Sequence, residues 1–164
     1  MLGLPFDVPP PYVPIDENFP PLPESAYSLS KHLGEAMADQ FCRWDASLKI
    51  ISLRFSNIME PADYARFDSW QNDPKVRKWN LWGYIDARDA AQSVRLSLQA
   101  KLTGHHAFII ANDDTTMTAD NNDLLAKVFP TSPRKRPIQP RETLLAIDKA
   151  RQMLGYKPQY NWGK

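Results

Sequence analysis

Two short β-branched, apolar runs set the limits on this fold. Leu48-Lys-Ile-Ile-Ser-Leu-Arg-Phe55 and Ala107-Phe-Ile-Ile-Ala111 are each bounded by loop residues and read as buried strands. The chain around them carries helical spacing instead. Ser25 suits an N-cap for a helix running to about Ala46, in which Leu29, Leu33, Met37, Phe41 and Trp44 recur as one buried stripe. Tyr27, Lys31 and Glu35 fall on a different face, with the small Gly34 and Ala38 beside them. Trp82-Gly-Tyr-Ile85 reads as a further short strand, and Asp86 to Asp89 as a capping box opening a helix that Gly104 terminates. A short helix is expected over Asp63 to Gln71, another from Thr118 or Asp120 to about Phe129, and a last one over Asp148 to Leu154. Pro130 to Arg141, with four prolines, reads as a loop. Strands alternating with helices indicate an α/β layered fold with a parallel component. Three readable strands are few for an independent doubly wound sheet.

The first residues are different in kind. Eight of the fifteen prolines lie between Pro5 and Pro23. Proline fixes φ and removes an amide donor, so this segment is extended or turning and is neither helix nor central strand. Phe6, Val8, Tyr12, Val13, Ile15 and Phe19 are interleaved with the prolines, which leaves two readings open: a disordered tail, or a coil packed on a surface. The organisation read from this is a proline-rich segment, 1–24, followed by one α/β unit, 25–164.

Bulk properties exclude several function classes. A net charge of +1 provides no field for nucleic acid or anionic membrane. Cys42 is the single cysteine, so no intrachain disulfide forms, which suits a reducing cytoplasm. No apolar run approaches the ~20 residues of a membrane span. His32, His105 and His106 do not form a ligand set, and no metal is expected. Arg134-Lys-Arg136 reads as a solvated loop.

Chemistry enters with Tyr27 and Lys31. Spaced Tyr-x-x-x-Lys, they lie one helical turn apart on one side of the helix. An ammonium beside a phenol favours the phenolate, so such a pair can pass a proton. The spacing alone is weak: six tyrosines and ten lysines in 164 residues give about 0.4 such pairs by chance. Tyr160 and Lys164 match it too, at the end of the sequence.

The setting of the pair is more specific. Pro14-Ile-Asp-Glu17, then Tyr27-Ser-Leu-Ser-Lys31 and Glu35, resemble the active-site stretch of extended short-chain dehydrogenases/reductases, and more narrowly of the NAD-dependent epimerase/dehydratase family. Leu53-Arg-Phe-Ser-Asn57, Tyr84 to Asp89, and Asp148 to Pro158 are similar to later segments of that family, in the family's order. The resemblance implies the C-terminal part of a Rossmann-like, doubly wound parallel sheet with a small substrate-binding lobe. By the same resemblance Tyr27 is a general acid/base on a sugar hydroxyl. Lys31 supports its phenolate and holds the nicotinamide ribose, while Phe55, Ser56 and Asn57 contact cofactor and substrate. A sugar or nucleotide sugar is the implied substrate. Asn57 can equally be a turn residue capping its own backbone. Trp70, Trp79 and Trp82 with Arg77 and Lys78 could stack a base and pair a phosphate, or be core; Asn57, Arg77 and Trp82 are the candidate substrate contacts. Asp86 and Asp89 read as structural caps.

One departure stands out. The family's glycine-rich turn, which brings the cofactor pyrophosphate to a helix N-terminus, has no counterpart among Gly3, Gly34, Gly83, Gly104, Gly155 and Gly163. The expectation is therefore that the dinucleotide-binding half and the family's catalytic Ser or Thr lie outside this sequence. NAD or NADP belongs to the full-length family and is not expected to bind this chain tightly. Self-association is expected, through the strand edge exposed at Leu48 to Phe55 and through the Tyr27 helix, which resembles the family's dimer helix.

Overall fold

The computed structural model describes residues 8–163; Phe6 and the other residues before Val8 lie outside it, as does Lys164. Ser25 caps helix α1 (Ala26–Trp44): its hydroxyl accepts from the Ser28 amide, and the Ser28 hydroxyl reciprocates at the Ser25 amide, both at 3.1 Å. Then come β1 (Lys49–Phe55), β2 (Ile58–Met59), two 3-10 segments (Pro61–Trp70 and Pro74–Asn80), and β3 (Ile85–Asp86). Helix α2 (Ala87–Gln99), β4 (Gly104–Ile110), α3 (Asn121–Val128) and α4 (Asp148–Leu154) complete the order. β1 and β4 pair in parallel, Lys49 opposite Gly104 through Phe55 opposite Ile110, and the short β2 and β3 also run parallel.

In this register Ile51, Leu53 and Phe55 share a face with His106, Phe108 and Ile110. Phe108 and Ile110 are fully buried, and this face carries the main core, closed over by Leu124, Leu144, Ile147, Ala150 and Tyr156. Burying side chains of this size stabilises by about 1.5–3 kcal/mol each. A second, smaller cluster of Met59, Phe67, Trp70 and Tyr84 belongs to the lobe formed by the 3-10 segments. The proline-rich segment is a packed coil over its described part. Val13 and Ile15 are fully buried and make single parallel bridges to Arg134 and Leu145.

Several local expectations are corrected. The stripe Leu29, Leu33, Met37, Phe41 and Trp44 is exposed rather than buried, because α1 turns its opposite side to the sheet. Ala38 is the buried residue of α1, and polar links take the place of apolar packing there. The Glu35 carboxylate accepts from Arg54 at 2.8 and 2.6 Å, and His105 lies between Asp39 (2.7 Å) and Ser52 (2.8 Å). β1 is half-buried rather than buried. Of Trp82 to Ile85 only Ile85 is strand, since Leu81 and Trp82 take left-handed backbone (φ 51° and 57°). The helix expected from Asp63 is 3-10 and starts at Pro61. α2 ends at Gln99, and Gly104 (φ +81°) instead opens β4. Asp86 caps α2 through the Arg88 amide. Asp89 is no capping-box partner: it is fully buried and accepts from the amides of Gln159 (2.9 Å) and Tyr160 (3.0 Å). Arg134 to Arg136 is the exposed loop expected, with Lys135 paired to Asp16 and Arg136 to Glu142, both at 2.6 Å.

Candidate active site

The first three turns of α1 and the C-terminal half of β1 bound an open cleft of about 510 Å³. Tyr27, Lys31 and Glu35 line the α1 side; Leu53, Arg54 and Phe55 line the strand side. Tyr27 and Lys31 are brought together by helical geometry, with the Lys31 ammonium 5.1 Å from the centre of the Tyr27 ring. The ammonium therefore sits over the ring face. At 64% exposure the Tyr27 side chain is open to a ligand. The wall behind the pair is tied to β1 by Glu35 and Arg54. Burial works against the charge of Glu35, and the hydrogen bonds and charge of Arg54 outweigh it, holding the carboxyl below its usual range.

The other candidate residues are dispersed. Phe55 reaches the cleft, but Ser56 and Asn57 do not line it. The Ser56 amide donates to the Ile110 carbonyl at 2.9 Å, and its hydroxyl is buried without a partner. Asn57 uses its carbonyl to accept from the Ile85 amide at 3.0 Å, tying the turn before β2 to β3, while its side-chain amide lies 3.8 Å from the Met59 sulfur. Trp82 is fully buried and its indole N–H is satisfied by the Pro74 carbonyl at 2.7 Å, so its surface is not presented to a ligand. Arg77 is enclosed between Trp70 and Trp79, its guanidinium 4.4 and 4.8 Å from their rings. Burial, and after it the charge of Arg66, bring its pKa down to about 10. Asn57, Arg77 and Trp82 thus form no joint contact surface in this structure.

Sequence reasoning missed the residues that hold the cleft in shape. From sequence Arg54 is simply part of a strand, and its pairing with Glu35 across 19 residues has no local signal. The alternation of polar Ser52 and Arg54 with apolar Ile51, Leu53 and Phe55 was such a signal for a two-sided strand with one polar layer. Among the described residues no group of three or more His, Cys, Asp or Glu could hold a metal, and no helix is long and apolar enough to cross a membrane.

A helix followed by two parallel strands with a helix between them, and a small lobe after the first strand, matches in fold the C-terminal part of short-chain dehydrogenases/reductases. The chain is similar to a superfamily member from Agrobacterium tumefaciens with bound NAD, at 20% identity and a TM-score of 0.62, over 97% of this chain and 60% of that one. It is also similar to the UDP-N-acetylglucosamine 4-epimerase from Bacillus cereus (22% identity, TM-score 0.58, 91% of this chain and 53% of that one). The UDP-glucose 4-epimerase from Thermotoga maritima matches at 18% identity with a TM-score of 0.57, over 93% and 57% of the two chains. The chain therefore spans a little over half the length of these structures. No protein-family model matches it, and no curated protein sequence is significantly similar.

Proposed function

We propose that this chain supplies the substrate side of an NAD(P)-dependent epimerase- or dehydratase-type oxidoreductase acting on a sugar or nucleotide sugar. The observation that carries the reading is the cleft in which Tyr27 and Lys31 share one wall, opposite the C-terminal end of β1. That end is the ligand side of open α/β sheets. Tyr27 takes or returns the proton of a sugar hydroxyl at its phenolic oxygen, and the Lys31 ammonium holds hydroxyls at the cleft. The Glu35–Arg54 pair fixes α1 against β1, so the phenol keeps its position.

The residues fit one end of a nicotinamide cofactor only. Tyr27, Lys31 and Phe55 offer an open wall for a ribose and a flat ring, whereas no pair of glycines in the sequence is spaced to cradle a pyrophosphate. A bound nicotinamide would supply the acceptor for hydride leaving the sugar carbon. NAD or NADP, and the choice of sugar, belong to the whole enzyme.

Turnover of nucleotide sugars by the whole enzyme tests the reading. Tyr27→Phe is expected to lower kcat about 10²–10⁴-fold, the usual contribution of a positioned general acid/base. An unchanged kcat would remove Tyr27 from the chemistry. A second reading, a non-catalytic piece that keeps the lobe's fold, is favoured by the missing glycine turn. Titration of the purified chain with NADH, followed by fluorescence, separates the two: saturation at one per chain would exclude the second.

A further inference from the structure

α1 carries Tyr27 and Lys31, and the side it turns to the sheet is polar. Among the described residues, the hydrogen bonds that cross from α1 to the sheet belong to Glu35 and Asp39, one helical turn apart, with the buried Ala38 beside them. Glu35 takes Arg54 on β1. Asp39 takes His105, whose ring does more than close an ion pair. Its Nδ1 lies 2.7 Å from the Asp39 carboxylate and its Nε2 lies 2.8 Å from the Ser52 hydroxyl, so one imidazole on β4 joins α1 to β1. In the neutral ring Nδ1–H donates to Asp39 and Nε2 accepts from Ser52, and both nitrogens are used. The His105 side chain is 7% exposed and that of Asp39 is 64% exposed. The link therefore starts at the surface and ends on Ser52, which lines the strand side of the cleft. All its members lie on α1, β1 and β4, so it holds whatever covers the outer stripe of α1.

We infer that His105 is a positioning residue for Tyr27, on the reading of Tyr27 as the proton-transfer group. Together with Glu35–Arg54 it gives α1 two anchor points on the sheet. Two points fix the tilt of a rod, whereas one leaves a pivot. At 1.5 Å per residue, Tyr27 lies about 12 Å along the axis from Glu35, and Asp39 about 6 Å to the other side. Without the His105 link α1 swings about Glu35, and a displacement at Asp39 reaches Tyr27 about twice as large. A slip of about 0.5 Å at Asp39 is then about 1 Å at Tyr27, and a misplacement of that size costs about 10²-fold in rate. The chain leading into α1 offers little resistance, since three of residues 20–24 are prolines and have no amide to tie down. Asp39 itself does not line the cleft, so the link can be cut without altering the cleft wall.

Asp39→Ala and Asp39→Asn test the assignment from the exposed end of the link: the first removes the acceptor, the second keeps an oxygen for the His105 Nδ1–H. In the purified chain, hydrogen exchange of the α1 amides is expected to quicken about 2–10-fold in Asp39→Ala, the worth of one net hydrogen bond. The amides of β1 and β4 should not change, and Asp39→Asn should stay close to the unaltered chain. In the whole enzyme, Asp39→Ala should lower kcat about 10–10²-fold with KM within about twofold, and Asp39→Asn should restore most of kcat. His105→Phe cuts the link at its centre and should match Asp39→Ala; should it fail to fold, the two Asp39 variants decide alone. Unchanged α1 exchange in Asp39→Ala would overturn the link. Faster exchange with unchanged kcat would overturn the positioning role, as would equal losses of kcat in Asp39→Ala and Asp39→Asn. Tyr27→Phe in the same assay tells the failures apart. If it too leaves kcat unchanged, the catalytic reading of Tyr27 falls and the positioning role with it; if it alone lowers kcat, only the positioning role falls.

Discussion

Gly83 is where the lobe, the sheet and the loop before α4 come closest, and a single methyl group measures how tightly. A Cβ at this position would lie 2.7 Å from the Leu145 Cδ1, 3.0 Å from the buried Ser56 hydroxyl and 3.2 Å from the Asn80 carbonyl. Leu145 can yield by changing rotamer, but it is only 7% exposed and its neighbours must then follow. The Asn80 carbonyl is backbone and also accepts from the Gly83 amide at 2.9 Å, so it cannot move away cheaply. Overpacking of this kind costs about 1–3 kcal/mol. Against it stands about 0.4–1 kcal/mol from the stiffer unfolded chain. Gly83→Ala is therefore expected to destabilise by about 1–2 kcal/mol. At about 2–4 °C per kcal/mol for a chain of this size, Tm falls by about 2–8 °C. Gly34→Ala is the control, since a Cβ there meets nothing within 4 Å and the residue lies inside α1. Removing a mid-helix glycine should stabilise by up to about 1 kcal/mol. Differential scanning calorimetry of the two variants gives the comparison. An unchanged or raised Tm for Gly83→Ala would refute the packing argument.

Three further outcomes are expected. Asp86 is enclosed and holds Arg88 at 2.8 Å and Tyr64; Arg88, over the opposing effect of burial, brings its pKa down to about 2. A depressed carboxyl contributes stability that is complete above its unfolded value near 4 and lost as pH falls toward 2. On the order of 2 kcal/mol should disappear over that window, and urea midpoints for Asp86→Asn should fall less steeply there. Lys49→Met leaves three carbonyls at the end of α2 without their ammonium and should destabilise by about 1–2 kcal/mol, read from urea unfolding. Tyr27→Phe should lose turnover with little change in Tm, because its exposed hydroxyl makes no packing contact that the fold depends on.

The elements that were legible from sequence are those whose signal is local. β1 and β4 lie where the β-branched runs are, Asp120 caps α3, and α4 covers Asp148 to Leu154 and stops at Gly155 in left-handed backbone (φ 71°). The orientation of α1 was not legible. An apolar stripe names a face that avoids water, without saying that the same chain covers it, and here the sheet takes the opposite, polar face. Trp82 shows the converse for the site. Its ring suits a stacked base, but the left-handed turn at Leu81 and Trp82 drives it into the core, and nothing in the local residue types announces that turn. Tyr27 and Lys31 share the cleft because helical spacing alone puts them there. Arg54 and Glu35 meet only through the packing of α1 on β1, a long-range event.

The buried carboxylate of Asp89 has a consequence for how the chain is made. Its two amide donors belong to residues 70 and 71 positions later, and Gln92 beside it is matched twice by Lys157. Ribosomes add about 5–20 residues per second. For about 4–14 s, then, the start of α2 exists without the segment that covers it, and an acid designed for the interior faces water or the tunnel wall. Burial raises the pKa of that carboxyl in the finished protein, so in the interval it is the more readily ionised of its two lives. The stretch at Gln159 and Tyr160 is thus a closing clasp, and the order of synthesis lets α2 be sealed only after some 70 further residues have followed Asp89.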